Sequence, residues 1–297
     1  MTPPDPGKAE TLDDGLRRIL APNPGPMTHW GTNTFILGEG HVAVVDPGPA
    51  SAAHLAAILK ATQGETITHI LVTHAHADHS PLARDLARAT GAPVLGFGPP
   101  ETGRSPTMEA LAKDGRAGGG EGVDHAFHPD QTLGEGDRVS ADGWNIDVLH
   151  TPGHFAGHLA FRMGDHVLSG DHVMDWSSSL VSPPDGDLRA FMETSERLAA
   201  LQGVTFHPGH GNRIDAGPER LSWLIQHRLK RETAIREALG PSPQDLSTIT
   251  RRVYTDIPPE MLPAAARNVL AHLIDLVDRN LATASPHLGF DAMFARN

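Results

Sequence analysis

The chain has 297 residues, an ordinary share of apolar residues and a formal net charge of −12. These values are typical of a globular protein with one large and one small domain, and they argue against a protein that coats nucleic acid with its whole surface. The absence of cysteine excludes disulfides and thiolate ligands. We find neither an apolar run long enough to span a membrane nor a signal-peptide pattern, and we therefore expect a cytoplasmic protein.

The N-terminal half of the sequence predicts alternating strands and helices after a Pro- and Gly-rich start with one short helix at residues 12–20. Apolar, β-branched runs predict strands at residues 32–37, 41–46, 67–72 and 93–97. Helical periodicity predicts helices at residues 52–62, 81–90 and 107–113. Such alternation is typical of βα units on a sheet. The long segment that follows, with a glycine-rich run at residues 118–122, predicts a lid, a binding loop or a disordered segment.

The C-terminal half changes character after Gly217. Before it, strands are predicted at residues 144–149, 159–162, 166–169 and 204–206, with a helix from 187 to 201. After it come helices at residues 219–239, 246–254 and 261–281, and a possible β-ribbon at 283–294. Three helices and a ribbon resemble a winged helix, so we place a catalytic domain at residues 1–217 and a winged-helix-like domain at residues 218–297. Since this tail is nearly neutral, we expect it to pack on the catalytic domain or on a second subunit, as in a homodimer, in preference to reading DNA.

Chemically active side chains concentrate in the loop after the strand at residues 67–72. His74, His76, Asp78 and His79 follow that strand directly, and open α/β folds place their sites at such strand ends. Imidazole and carboxylate together suit zinc or a similar divalent metal. A loop can turn His74 and His76 toward one ion and Asp78 and His79 toward another.

Three more predicted strand ends carry candidate ligands on glycine-rich loops, namely His154, Asp171 and His210. With the first loop they supply enough ligands for two adjacent metals. A natural division assigns one metal to His74, His76 and His154 and the other to Asp78, His79 and His210. Asp171 can then bridge the two through its two oxygens.

Other polar residues near these positions receive supporting or surface roles. Asp46, at the end of the strand at residues 41–46, is either a turn residue or a carboxylate that shapes the metal loop. His158 and His172 are interpreted as residues behind the ligands or on the surface. The histidines of the long loop, His125 and His128, are interpreted as structural or surface residues.

The pattern His74-x-His76-x-Asp78-His79 with His154, Asp171 and His210 resembles the metallo-β-lactamase superfamily, and Asp46 matches the first motif of that family. The resemblance implies an αβ/βα sandwich, in which two mixed sheets lie back to back with helices outside. Residues 23–26 and 31–35, together with the helical tail, resemble the β-lactamase-like protein 2 group. Some members of that group are single-stranded RNA endonucleases with a winged-helix tail.

The chain also departs from several branches of this superfamily. It lacks the cysteine ligand of one major class of antibiotic-cleaving enzymes, and it lacks the β-CASP insert of polyadenylation nucleases. The tail has one tyrosine, Tyr254, and no basic and aromatic cluster like the one with which glyoxalase II enzymes hold glutathione. These departures weaken the assignment of the chain to antibiotic cleavage, to polyadenylation-type RNA cleavage and to glutathione thioester hydrolysis. They do not weaken the expectation that the chain is a hydrolase.

We therefore expect a metal-dependent hydrolase with two Zn²⁺ ions, for which Mn²⁺ or Fe²⁺ are alternatives. A water that bridges two metals loses a proton near neutral pH, and Asp78 is predicted to orient the resulting hydroxide. The acidic body favours a small ester, thioester or lactone over RNA as substrate. The alternatives are an endoribonuclease-like phosphodiesterase acting on single-stranded RNA and a non-catalytic nucleic-acid-binding or scaffold protein. If RNA is the substrate, phosphates should meet Arg228, Lys230, Arg231, Arg251 and Arg252.

Overall fold

Two β-sheets stacked face to face form the centre of the larger part of the chain, and helices cover their outer faces. The structure is a computed structural model that describes residues 3–120 and 122–297. Met1, Thr2 and Glu121, the last within the glycine-rich run, lie outside the described residues. The α/β sandwich expected from the sequence is confirmed.

The first sheet has seven strands arranged in chain order. It is antiparallel from the first strand to the fourth and parallel from the fourth to the seventh. Its strands are β1 (Ala9–Asp13), β2 (Leu16–Leu20), β3 (Asn33–Leu37), β4 (His41–Val45), β5 (Thr66–Leu71), β6 (Val94–Gly96) and β7 (Gln131–Thr132). The helices α1 (Ala52–Ala61) and α2 (Leu82–Thr90) connect the parallel strands and bury Ile58 and Leu86 on the outer face.

The helix predicted at residues 12–20 is wrong, because this segment forms the hairpin of β1 and β2. Asp14-Gly15 makes the turn, and Gly15 has a φ of 67°, which glycine adopts without strain. Leu16 and Ile19 are fully buried. Pairing of β2 with β3 therefore outweighs the helical spacing of the apolar residues.

The second sheet has five strands in the order β12-β11-β10-β9-β8. They are β8 (Arg138–Ala141), β9 (Trp144–His150), β10 (Leu159–Met163), β11 (His166–Gly170) and β12 (Thr205–Pro208). The helix α3 (Pro106–Lys113) precedes this sheet in the chain, and α4 (Leu188–Ala199) covers its outer face. Because β11 and β12 are parallel, the loops after them, with Asp171 and His210, leave the sheet at the same edge.

The tail forms a third layer that packs on the catalytic part. It contains α5 (Gly217–Ala238), α6 (Leu246–Val253) and α7 (Leu262–Asp278), with a small sheet of β13 (Gln244–Asp245), β14 (Ala282–Ser285) and β15 (Met293–Arg296). Its core continues into α3 through Met108 and Leu111. The first half of α5 covers the second sheet with Leu221 and Leu224, and its second half enters the tail core with Ile235. The boundary after residue 217 stays a prediction.

None of the described helices is both long enough and apolar enough to cross a membrane. The cytoplasmic location and the homodimer stay predictions.

The core between the two sheets should account for much of the stability. Phe161 is fully buried there and pairs with Val148 on one side and Leu168 on the other. We expect Phe161→Ala to lower the free energy of unfolding by about 3–5 kcal/mol, because two packed sheets cannot collapse into the cavity. Urea unfolding measures this. Leu59→Ala, on the exposed side of α1, is the control and should cost less than about 0.5 kcal/mol; equal losses would contradict the assigned core.

Candidate active site

Asp46, which follows β4, holds the loop after β5 in shape. Its carboxylate accepts hydrogen bonds from the backbone N–H and the hydroxyl of Thr73 at 2.8 and 2.7 Å and lies 2.9 Å from His79 Nδ1. Its backbone N–H donates to Leu71 O at 2.9 Å. Asp46 has a φ of 49°, a sparsely populated region that is often found at functional sites. These contacts favour a carboxylate that shapes the loop over a plain turn residue.

His74, His76 and His154 point ring nitrogens at one another. His76 Nδ1 lies 2.8 Å from His74 Nε2 and 3.1 Å from His154 Nε2. His154 Nδ1 donates to Leu180 O at 2.7 Å, and His74 Nδ1 lies 3.0 Å from the Thr73 hydroxyl. A metal ion satisfies three converging imidazole lone pairs, and the outer hydrogen bonds fix the ring orientations as they do in metal sites.

A second group joins Asp78, His79 and His210. His210 Nε2 lies 3.1 Å from Asp78 Oδ2 and 3.3 Å from His79 Nε2. His210 Nδ1 donates to Gly31 O at 3.1 Å, and Asp46 engages the Nδ1 of His79. Both imidazoles are therefore held from behind and direct Nε2 toward Asp78, which is the arrangement that a second ion needs.

Asp171 lies between the two groups. Its Oδ1 lies 3.4 Å from His79 Nε2, and its Oδ2 lies 3.3 Å from His210 Nε2 and 3.8 Å from His154 Nε2. Its Oδ1 is buried without a hydrogen-bond partner in the described part of the chain. A buried carboxylate oxygen is costly unless a cation binds it. The residues present thus fit a pair of divalent ions, which these two groups and Asp171 would hold.

Burial and nearby charge divide the histidines into two electrostatic classes. Burial, with neighbouring imidazoles, lowers the pKa of His74 well below its usual range and that of His76 to about 3. Burial also opposes charge on His79 and His210, but the surrounding carboxylates outweigh it. They raise the pKa of His79 well above its usual range and that of His210 to about 10. The group of His74 and His76 therefore offers neutral imidazole ligands. The carboxylates around His79 and His210 create a negative potential that favours a bound cation.

The structure brings all seven predicted ligands into adjacent groups, and their role as ligands stays a prediction. The candidate groups are His74–His76–His154, His74–His79–Asp171 and Asp78–His79–His210. His158 lies directly behind them, since its Nε2 accepts from Asp171 N at 3.1 Å. His172 turns away toward α4, where it lies 3.1 Å from Ser195 Oγ and stacks on Phe191. His125 and His128 are exposed.

Three supporting residues were missed from the sequence. The carbonyls of Gly31 and Leu180 orient His210 and His154, and a backbone carbonyl leaves no signal in residue type. Gly209 packs so closely that a Cβ atom there would collide with Asp171 Oδ1 and the ring of His79. The Pro-Gly-His sequence at residues 208–210 is the signal that could have found it.

A cavity of about 530 Å³ opens onto the ligand groups, a size typical of small-molecule sites. The glycine-rich run contributes Gly118, Gly120 and Gly122 to its wall. The tail contributes residues from α7 and from the β14–β15 connection, so the tail completes the pocket. The apolar lining residues are Met27, Met174, Leu180, Pro263, Ala264 and Phe290.

Comparison with known families identifies both parts of the chain. Residues 27–210 match the metallo-β-lactamase superfamily, and residues 246–286 match the β-lactamase-associated winged helix domain. The chain belongs to the metallo-β-lactamase superfamily and is a metal-dependent hydrolase of that superfamily. The winged-helix tail predicted from the sequence is likewise confirmed.

Similar curated proteins support the finer assignment within the family. Two are named "Beta-lactamase-like protein 2 homolog". The Caenorhabditis elegans protein is 30% identical, and the match covers 88% of this chain and 83% of the relative. The Drosophila melanogaster protein is also 30% identical, and the match covers 89% of this chain and 88% of the relative. The "Atrochrysone carboxyl ACP thioesterase" of Passalora fulva is 27% identical over 92% of this chain and 77% of its own. The resemblance to the β-lactamase-like protein 2 group is thus confirmed.

Solved structures share the fold along nearly the whole chain. A β-lactamase domain protein from Burkholderia ambifaria superposes with a TM-score of 0.81 at 23% identity and covers 100% of this chain and 95% of its own. The family protein TTHA1429 from Thermus thermophilus gives 0.77 at 25% identity, over 97% and 100%. TTHA1623 in a di-iron-bound form gives 0.50 at 30% identity, over 66% and 94%.

The contacts of Asp46 predict the effect of neutralising it. In Asp46→Asn one oxygen becomes an NH₂ group, which cannot accept from Thr73 or His79. We expect most metal to be kept and the hydrolysis rate to fall about 10–100-fold. Elemental analysis and rates on a model thioester measure both effects. Asp165→Asn, in an exposed turn, is the matched control; an unaffected Asp46→Asn would make Asp46 a simple turn residue.

Residues of the tail also fix the position of the Leu180 carbonyl, which orients His154. Asn268 Oδ1 on α7 accepts from Val181 N at 3.1 Å and from Arg228 Nη1 at 2.9 Å. The buried Arg228 also donates to Ser179 O. The segment on either side of Leu180 is therefore fixed by two residues of the tail.

These contacts predict that Asn268→Ala weakens metal binding although Asn268 lies outside the ligand groups. Loss of the acceptor frees residues 179–181, so the carbonyl bonded to His154 should shift and metal affinity should fall by at least about 10-fold. Chelator competition measures this. Asn268→Asp, which keeps an acceptor, should restore part of the affinity, and Lys230→Ala on the surface of α5 should have no effect. Unchanged affinity in Asn268→Ala would refute the link.

Proposed function

We propose that the protein hydrolyses a small acyl compound with the aid of two zinc ions, and that a thioester is preferred over an oxygen ester or lactone. The observation that carries the proposal is the cavity, in which His76, Asp78, His154, Asp171 and His210 face walls of apolar side chains and glycine. The thioesterase name of the Passalora fulva relative supports the same choice.

The proposed division of roles follows the geometry. His74, His76 and His154 would hold one ion, and Asp78, His79 and His210 the other, with Asp171 bridging. When bound, the ions supply Lewis-acid activation of water and of the substrate carbonyl. Asp78, whose side chain is 26% exposed and lines the cavity, would orient the attacking water. The apolar walls would exclude bulk water and strengthen these electrostatic contacts.

Zinc is the proposed metal because every candidate donor is an imidazole or a carboxylate, a set that zinc binds readily. Iron binds the same donors. The di-iron-bound form of TTHA1623 supports iron as the alternative.

The leaving group favours a thioester over a phosphodiester. Apart from the proposed ligands, the titratable side chains that line the described cavity are Asp185 and Arg267. Asp185 accepts from Arg104 and from Gly120 N at 2.8 and 3.1 Å, and Arg267 donates to Ser182 Oγ at 2.8 Å. Both are thus engaged in structural hydrogen bonds. A thiol with a pKa of about 8.5 leaves as thiolate without a proton donor, whereas a sugar alkoxide needs a proton or a metal contact.

Two of the five tail cations expected to meet RNA phosphates are engaged in contacts within the protein. Arg228 is buried and bonded to Asn268 and Ser179, so it cannot contact a phosphate. Arg252 is bonded to Gln244 and to a backbone carbonyl. The net charge of −12 also repels a polyanion before it reaches the pocket.

The proposed chemistry predicts a substrate order. Metallated protein should hydrolyse the acyl thioester of an uncharged thiol faster than the oxygen ester of the same acid, and the rate should change little between low and moderate salt. Labelled single-stranded RNA in the same assay tests the alternative. RNA cleavage that falls with salt and with the Arg251→Ala/Arg252→Ala double substitution would overturn the acyl assignment.

The bridging position of Asp171 predicts a contrast with its neighbour. Elemental analysis should find two metals per chain. Asp171→Ala should lose metal and should lower the rate by more than the roughly 10–100-fold typical of residues outside the ligand set. His172→Ala should keep both metals, because its ring contacts Ser195 and Phe191. Equal loss of metal in the two variants, or one metal in the wild type, would contradict the assignment.

A further inference from the structure

A second cavity, of about 230 Å³, adjoins the first. The two cavities share the lining residues Met27, Met174, Leu180 and Ala264. None of the proposed ligands lines the second cavity. A substrate whose reactive bond lies at the ligands can therefore extend into this space with a part that does not react.

The second cavity is lined by cationic and neutral groups. Arg231 and His227 contribute to its wall, and the described residues place no Asp or Glu there, whereas three Asp line the first cavity. The Arg231 guanidinium lies 3.9 Å from the ring centre of Tyr254, and its Nη1 donates to Val253 O at 2.9 Å. Within the described chain no carboxylate pairs with Arg231. In so acidic a protein, an arginine of this kind at a cavity indicates an anionic ligand.

An aromatic and cationic surface continues from this cavity along α5. Trp223 stacks on His227 with ring centroids 5.1 Å apart, and the Arg220 guanidinium lies 4.3 Å from the Trp223 ring centre. Spacings of three and four residues place them on one face of the helix. Trp223 is 48% exposed. Burial, followed by the charges of Arg228 and three other Arg and Lys residues, lowers the pKa of His227 to about 4, so the His227 ring that stacks on Trp223 is neutral near pH 7.

We propose that the second cavity and this face of α5 bind the phosphate-bearing arm of a thiol leaving group. The shared chemistry is a phosphopantetheine arm, supplied either by coenzyme A or by a carrier protein, while the acyl group occupies the first cavity. Arg231 contacts phosphate. Arg220, whose guanidinium donates to Met174 O and Ser177 O at 2.7 Å, holds the Trp223–His227 pair in place, and this pair stacks on the purine base when coenzyme A is the thiol. This inference rests on the proposed thioesterase function.

The reaction balances without a further reactant. The oxygen of water bonds to the thioester carbonyl carbon, and the carbon–sulfur bond breaks with its electron pair on sulfur. The products are a carboxylic acid and a thiol, which ionise according to their pKa values. The thiol product would leave through the second cavity, in which its phosphate is already bound.

The test compares one acyl group carried on three thiols: pantetheine, phosphopantetheine and coenzyme A. We expect kcat/KM to rise by about 10-fold or more from pantetheine to phosphopantetheine, in keeping with a charge-assisted phosphate contact. Arg231→Gln should lower the ratio of these two values by about the same factor. Arg236→Gln, exposed on α5, should leave the ratio unchanged. Equal kcat/KM values for the two thioesters in the wild type would overturn the proposal.

Further measurements separate the two thiols and the two hypotheses. If kcat/KM is larger for the coenzyme A thioester than for the phosphopantetheine thioester, and if Trp223→Ala abolishes this difference, the thiol is coenzyme A. If the two values are equal, the arm is carried by a protein. Both outcomes support the site. Free coenzyme A, titrated by calorimetry, should bind the wild type more tightly than Arg231→Gln. If no thioester is hydrolysed but this difference holds, the proposed function fails and the anion site stands. If coenzyme A does not bind and single-stranded RNA binding depends on Arg231 and Trp223, the inference fails.

Discussion

The candidate site depends on the hydrogen bonds that the Asp46 carboxylate makes. It is buried beside the end of β4 and binds Thr73 and His79, which flank the loop residues that face the cavity. A buried carboxylate is stable only when its oxygens accept hydrogen bonds. Asp46 and its donors therefore hold one another in place. Its φ of 49° shows that surrounding contacts hold the backbone in an uncommon conformation. The loop geometry is thus set from behind, by groups outside the ligand set.

Sequence reasoning located the candidate ligands because they follow strands, and strand ends meet at one edge of a parallel arrangement. It could not locate the carbonyls of Gly31 and Leu180, because any residue type supplies a carbonyl and only the tertiary fold shows where it points. The β1–β2 hairpin was misread as a helix because apolar spacing was given more weight than the Asp14-Gly15 turn. Gly209 is a related case: the Pro-Gly-His sequence marks the position, but the collision that excludes a Cβ atom is defined only by the packing of Asp171 against it.

The near-neutral charge of the tail indicated that it packs against the catalytic part, but it did not indicate what the packed tail contributes to the site. A nearly neutral surface favours packing, and α7 and α3 do pack together in one apolar cluster. What composition could not show is that the same packing places Phe290 and Ala264 in the wall of the cavity and Asn268 beside the segment that carries Leu180. The wall of the cavity and the position of the Leu180 segment therefore both depend on the packing of the tail.

The charges along the two cavities form an order that suits an acyl transfer to water. Two divalent ions held by five imidazoles and two carboxylates would retain net positive charge where the carbonyl oxygen gains negative charge. Beyond the apolar residues that the cavities share, Arg231 and the α5 surface are positive again. The negative charge on the phosphate of the leaving arm thus meets a cation at a distance from the reacting carbonyl. Between these two positions the described residues provide apolar walls, which require no charged partner.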